Sequence, residues 1–256
     1  MADWNSAQYL KFGCERTRPA IDLATRIADS NPANVIDIGC GPGNSTAILA
    51  KTFPNAKILG VDSSENMIAA AQKEYPEMQW RVCDASKELG AMAGEFDLVF
   101  SNACIQWIPD HTTLIKNMLG LLKKGGALAV QIPMNFEEPI HQIIGEVSTS
   151  DKWKNSFHKE RVFYTLTPSE YFDLLSEHSA AFSMWSTTYY HVMKSHDDIL
   201  EWYRSTGMRP YLNVLNEQEK AEFEHDVMEQ VKQRYPAQKN GDIIFRFPRF
   251  FFTASV

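Results

Sequence analysis

Three aspartates and three glycines stand where this sequence could do chemistry. In Val35-Ile-Asp-Ile-Gly-Cys-Gly-Pro-Gly-Asn-Ser-Thr46, apolar and β-branched positions run into a glycine-rich turn, and a helix-compatible segment from Ser45 to Phe53 follows. Strand, tight loop and helix in that order make the corner at which an α/β sheet binds a phosphate or a nucleoside. Gly39 and Gly41 allow close approach of backbone to a ligand, and Gly43 allows the turn into the helix without a Cβ clash. Asn44 occupies the position that would complete G-x-G-x-x-G, and Asp37 lies inside the strand end. A pyrophosphate favours a helix N-terminus free of negative charge. Both departures therefore suit a cationic ligand group better than a dinucleotide. Taken alone, the motif also admits a glycine turn with only a packing role.

The motif is not alone. Lys57-Ile-Leu-Gly-Val61 reads as a second strand ending at Asp62, with Ser63 or Ser64 able to cap a helix through Met67, Ile68 and Ala71. Asp62 follows Gly41 by about twenty positions, the interval at which an acidic residue meets ribose hydroxyls. Its two oxygens can accept from both hydroxyls of a diol; an acid at a helix N-terminus is the plainer alternative. A third strand, Met78 to Val82, ends at Cys83-Asp84-Ala85, where Asp84 could accept from an adenine amine. S-adenosylmethionine (SAM), with a sulfonium and an ammonium and no phosphate, matches such a set of acids around a glycine loop.

The elements that must position these residues are visible in the pattern. Phe96 to Phe100 forms a fourth strand leading to Ser101-Asn102, and Ala127 to Ile132 a fifth. Pro109-Asp110 opens a helix, with Lys123-Lys124 expected in its last turn and Gly125-Gly126 stopping it. Strands alternating with helices predict an α/β, doubly wound parallel sheet. Ahead of it, a helix is expected from about Pro19, and Trp4, Tyr9 and Phe12 either cover the core or form a lid with Arg16 and Arg18. Beyond residue 135 the pattern changes: helices over Glu137 to Val147 and Pro168 to Leu175, strands at Thr187 to His191 and Asp242 to Phe247, and helices opened by Ser195 and Asn216. The expected organisation is one domain over 1–256, with an N-terminal lid over 1–18 and helical cap insertions at 135–180 and 195–240.

The chain has 256 residues, 44% hydrophobic and 22% charged, which suits one large core or a core with a cap. No apolar run approaches the roughly 20 residues of a membrane span, and no signal peptide is visible, so a cytoplasmic protein with no membrane partner is expected. A net charge of −7 argues against a nucleic-acid groove. It would also repel an acidic small molecule, unless local arginines overcome that field. Cys14, Cys40, Cys83 and Cys104 have no metal-ligand spacing and the histidines are scattered, so reduced structural thiols and no metal are expected. Nothing separates a monomer from a small homo-oligomer.

Val35-Ile-Asp-Ile-Gly-Cys-Gly-Pro-Gly, Gly60-Val-Asp-Ser-Ser, Val82-Cys-Asp-Ala and Phe96-Asp-Leu-Val-Phe-Ser-Asn together resemble class I SAM-dependent methyltransferases. Asp3-Trp-Asn, Glu15-Arg-Thr-Arg-Pro-Ala20, Asn102-Ala-Cys-Ile-Gln-Trp-Ile-Pro-Asp-His111, Ala129-Val-Gln-Ile-Pro133, Thr206-Gly-Met-Arg-Pro-Tyr211 and Arg246-Phe-Pro-Arg249 extend the likeness to the trans-aconitate methyltransferase family. From Asn135 to Tyr164 the likeness is loose. The resemblance implies a Rossmann-like, mostly parallel seven-stranded sheet with a helical cap. It implies methyl transfer from SAM to a carboxylate of a small tricarboxylic acid, yielding a monomethyl ester and S-adenosylhomocysteine. A carboxylate is already ionised at neutral pH, so no catalytic general base is required. The cofactor set becomes Asp37, Gly39, Gly41, Gly43, Asp62, Ser63, Met67, Asp84, Ala85 and Asn102.

Acceptor carboxylates call for bidentate guanidinium groups. The candidates are Arg18, Arg209, Arg246 and Arg249, with Arg16 behind them, and Tyr9, Trp107, Tyr190 and His191 as hydrogen-bonding or wall residues. Arg246 and Arg249, three apart, face opposite sides of a strand unless the chain bends at Pro248. The alternatives are another small acceptor, an amine or hydroxyl, and a non-catalytic SAM-binding protein.

Overall fold

Val35, Ile36 and Ile38 are wholly buried, the near-continuous apolar run expected of a parallel strand covered on both faces. They belong to β1 (Asn34–Ile38), an interior strand of the sheet. The computed structural model describes residues 13–92, 94–157, 164–204 and 206–256, with side chains from residue 17 onward. In chain order the remaining elements are α1 (Gly13–Arg26), α2 (Asn44–Thr52), β2 (Lys57–Asp62), α3 (Glu65–Glu74), β3 (Gln79–Val82) and β4 (Phe96–Asn102). They continue with α4 (His111–Gly120), β5 (Leu122–Pro133), α5 (Pro139–Thr149), α6 (Pro168–His178) and β6 (Ala181–Met193). Last come α7 (His196–Arg204), α8 (Arg209–Leu212), α9 (Glu217–Arg234) and β7 (Ile243–Ser255).

The seven-stranded sheet runs β3-β2-β1-β4-β5-β7-β6. The first five pair in parallel, as their helical crossovers require. β7 returns antiparallel to β5. This is the Rossmann-like, mostly parallel sheet expected from the sequence.

Several local expectations change. α1 begins at Gly13, so Pro19 lies inside it and only the hydrogen bond to the Glu15 carbonyl is forgone. Ala20, Leu23 and Ala24 bury the inner face of that helix. Lys123 and Lys124 belong to β5, because the helix ends at Gly120 and Leu122 pairs with Phe96 of β4. Pairing with a neighbouring strand overrides the local helix signal.

The described residues form two compact units. One holds those up to 133, 164–187 and 249–256; the other holds 134–157, 188–204 and 206–248. The segments 135–180 and 195–240, read from sequence as cap insertions, are shared between these units. α6 joins the sheet unit, where fully buried Tyr171 stacks on Phe250 at 5.5 Å. Its start is the expected capping box of Thr167 and Glu170. The lid proposed over 1–18 falls largely outside the described residues.

In the second unit, α9 packs on α5 and opens with a capping box of Asn216 and Glu219. Trp153 donates to Asp226 at 2.8 Å, and Trp153, Phe157, Tyr211 and Phe223 form an aromatic core. Among the described residues no helix is long and apolar enough to cross a membrane.

Candidate functional site

At the carboxyl end of β1 the chain turns through Gly39, Gly41 and Gly43, all at positive φ. They serve different ends. A Cβ on Gly39 would lie 2.1 Å from the Cys104 Sγ, and one on Gly43 2.8 Å from the rings of Trp80 and Tyr75. Around Gly41 nothing lies within 4 Å. The expectation that Gly39 and Gly41 both make room for a ligand is thus divided: Gly39 answers to packing against the chain beyond β4, and Gly41 alone borders open space.

Asp37 is fully buried. Its Oδ2 accepts from Ser45 Oγ and Thr46 Oγ1, each at 2.6 Å, while Oδ1 has no hydrogen-bond partner. Burial pushes its pKa up to about 6, against the pull of those two hydroxyls. Asp62 is held differently: Oδ2 accepts from Gly41 N at 3.0 Å and Oδ1 from Ser64 N at 2.9 Å. That pair of bonds ties the two motifs together. Ser64, rather than Ser63, caps α3, accepting from Met67 N at 3.2 Å. Met67 itself is buried and Ser63 is exposed.

Asp84 is engaged by its own turn. Lys87 Nζ donates to Oδ2 at 2.7 Å, and Ser86 donates to Oδ1 through both N and Oγ. These bonds, that from Lys87 foremost, hold its carboxyl below the usual range. Ala85 beside it is buried.

Across β4 and β5 the polar groups become amides. Asn102 pairs in register with Gln131. Asn102 Oδ1, Gln106 Oε1 and both polar atoms of the Gln131 side chain are buried without a hydrogen-bond partner, as is Asp37 Oδ1. Such atoms are rare in folded proteins, and here they gather at the carboxyl ends of three adjacent strands. Gln106 Nε2 donates to the Ala103 carbonyl, and the turn Ile105–Trp107 is pinned from behind by His111. His111 Nε2 lies 2.9 Å from the Ile105 carbonyl, which can only accept, so Nδ1 accepts from the Tyr171 hydroxyl at 2.5 Å. Burial lowers the His111 pKa, keeping the ring neutral.

Arg249 closes this edge from β7, buried to 5% exposure and opposite Pro133 of β5. By register, Asp62, Asp37, Asn102, Gln131 and Arg249 share one face of the sheet. Along five adjacent strands, then, the side chains run from carboxylate through carboxamide to guanidinium.

In the same unit Arg18 is exposed on α1 and Trp107 is half-buried. In the second unit Arg209 opens α8, half-buried. Arg246 is exposed and pairs with Glu138 at 3.5 Å, on the opposite side of its strand from the buried positions, as the spacing to Arg249 led us to expect for one of the two. Tyr190 is 63% exposed, whereas His191 is buried among Trp202, Phe245 and Phe247. Tyr9 and the Arg16 side chain lie outside the described residues. Burial raises the pKa of the Cys40 and Cys104 thiols, and no described group of acids, histidines and cysteines could hold a metal.

Gln106, His111 and Gln131 were missed from sequence. The available signal for Gln131 was one amide within the apolar run Ala127 to Pro133.

A 3-2-1-4-5-7-6 sheet with antiparallel β7, a glycine loop after β1 and acids at the tips of β1 and β2 defines a class I SAM-dependent methyltransferase. A sequence profile of a methyltransferase domain matches residues 35–126. The trans-aconitate 2-methyltransferase of Enterobacter sp. (strain 638) is 42% identical over 256 residues, covering 99% of this chain and 98% of that protein. That of Azoarcus sp. (strain BH72) is 41% identical over 255 residues, covering 99% of both. The YcgJ protein of Bacillus subtilis shares the fold at a TM-score of 0.63 and 15% identity, over 93% of this chain and 98% of that one. The chain belongs to the trans-aconitate 2-methyltransferase family, and its methyl donor is SAM. The residues fit that donor: the unpartnered Asp37 Oδ1 suits a cationic group, and Gly41 borders open space.

Proposed function

We propose that the chain transfers the methyl group of SAM to a carboxylate oxygen of trans-aconitate, releasing the monomethyl ester and S-adenosylhomocysteine. The observation that carries this reading is the span of the likeness. Identity of 41–42% to trans-aconitate 2-methyltransferases extends over 99% of the chain, far beyond the residues 35–126 common to methyltransferases at large.

The chemistry of the sheet edge supports it. An ionised carboxylate attacks without a base, and the groups here are not bases: His111 is locked between Ile105 and Tyr171, and the thiols stay protonated. The chain's task is to align acceptor oxygen, methyl carbon and sulfur in a dry pocket. In this reading Asp37 meets the ammonium of SAM, Asp62 the ribose hydroxyls and Asp84 the adenine amine. Arg249 supplies a buried guanidinium for an acceptor carboxylate, and Arg18 and Arg209 are further candidates.

Labelled SAM incubated with a panel of di- and tricarboxylates tests the proposal. Label should enter trans-aconitate and leave it in mild alkali, as an ester does. An alkali-stable product, or no transfer to any acid, overturns the reading.

A further inference from the structure

Gln131 is an anomaly in β5. Its neighbours Leu128, Ala129, Val130 and Ile132 are apolar and fully buried, and so is Gln131 at 0% exposure. Neither its Nε2 nor its Oε1 has a hydrogen-bond partner. Phe251 stands opposite it on β7, stacked on Trp185 with ring centroids 5.1 Å apart. A carboxamide is expensive to bury unsatisfied, and a methionine or leucine would fill the same volume without that cost. Packing alone therefore does not account for a glutamine here.

Its place in the charge order suggests what completes it. On one side lie Asn102 and the acids Asp37 and Asp62, suited to a cationic donor. On the other lies Arg249, which register places on the same face and one pleat further along the edge, roughly 7–8 Å away diagonally. A group held between an amide and a buried guanidinium is an anion. Two N–H donors on Nε2 can address it, and binding an anion determines which way the carboxamide is turned.

We infer that Gln131 is a specificity-determining residue for the acid acceptor, its Nε2 donating to an oxygen of the carboxylate gripped by Arg249. The inference rests on the acceptor class proposed above. It adds a neutral donor that discriminates by geometry where a second cation would not.

The test is Gln131→Met in the full chain, with thermal unfolding of the unliganded protein, calorimetric titration of S-adenosylhomocysteine, and KM and kcat for trans-aconitate. Removing an unsatisfied amide should leave the unfolding midpoint at or above that of wild type. S-adenosylhomocysteine affinity should stay within about twofold. KM should rise about 10- to 100-fold, the worth of a hydrogen bond to a charged group, with kcat changing less than about threefold. Gln131→Leu repeats the measurement with a different shape should methionine pack badly. An unchanged KM, or a loss confined to the cofactor, overturns the inference, as does a lowered midpoint with both affinities intact. If wild type methylates no acid, the proposed function fails and this inference with it; if wild type does and both variants match it, this inference alone fails.

Discussion

The two halves of the sheet edge are built on opposite principles. At β1 and β2 the site is assembled in advance: Gly41 and Ser64 donate to Asp62, Ser45 and Thr46 to Asp37, and the Gly39 turn is wedged against Cys104. At β4 and β5 the amides of Asn102, Gln106 and Gln131 lack partners for buried atoms. One half uses its hydrogen bonds chiefly to hold its own shape, with Asp37 Oδ1 left over; the other leaves four amide atoms without a partner. In the proposed reading the preformed half meets the cofactor, and the acceptor completes Gln131. Substitutions in the first half should lower stability and SAM affinity together; those in the second should cost binding alone.

The largest effect is expected at Gly39→Ala. The new Cβ meets the Cys104 Sγ at 2.1 Å in a left-handed backbone, costing about 2–4 kcal/mol. Gly41→Ala carries only the backbone penalty of about 1–2 kcal/mol and should lower SAM affinity out of proportion to its change in unfolding midpoint. Equal loss of stability in the two variants would erase the distinction drawn between these glycines. Asp62→Ala strips the acceptor from two backbone N–H groups, so stability should fall by about 1–3 kcal/mol. SAM affinity should fall about tenfold or more; an unchanged dissociation constant would remove the ribose assignment.

Asp37 provides a pH test. Its pKa of about 6, raised from 3.8 by burial, means the folded chain binds its proton more tightly than the unfolded chain. Asp37 therefore costs stability as pH rises from about 4 to about 6. SAM affinity should move the other way, because the ionised carboxylate is the form that attracts a cation. The SAM-induced rise in unfolding midpoint should be larger at pH 7.5 than at pH 5, and Asp37→Asn should flatten that dependence. A midpoint shift indifferent to pH in wild type would count against a cation at Asp37.

Smaller effects carry the comparison into the second unit. Arg209→Lys should raise KM for the acid about tenfold, since an ammonium cannot reproduce a bidentate contact, and leave SAM binding nearly unchanged. Parallel losses of both would point to a folding role instead. Arg246→Ala removes an exposed guanidinium from beside the buried Glu138 and should change KM by no more than about twofold.

Much of the edge at β1 and β2 was legible because it is local. Val35 to Thr46 carries strand, turn and helix in twelve consecutive residues, and Asp62 follows at the interval one strand–helix–strand crossover requires. The sheet type followed from alternating strands and helices, and the capping boxes at Thr167 and Asn216 from four residues each. Less legible were features that depend on distant chain. Gly39 and Gly41 look alike until Cys104, far along the sequence, is brought against one of them. Lys123 and Lys124 read as a helix end until β4 offers pairing.

By itself, then, the sequence determined the class of fold, the glycine loop and the acids beside it, because short-range spacing and backbone stereochemistry suffice for those. Only the tertiary structure decided that Asp84 turns to Lys87, that α6 joins the sheet unit, and that Gln131 is buried with neither side-chain polar atom hydrogen-bonded. Burial and hydrogen-bond satisfaction are properties of neighbours, and neighbours in space are not neighbours in the chain.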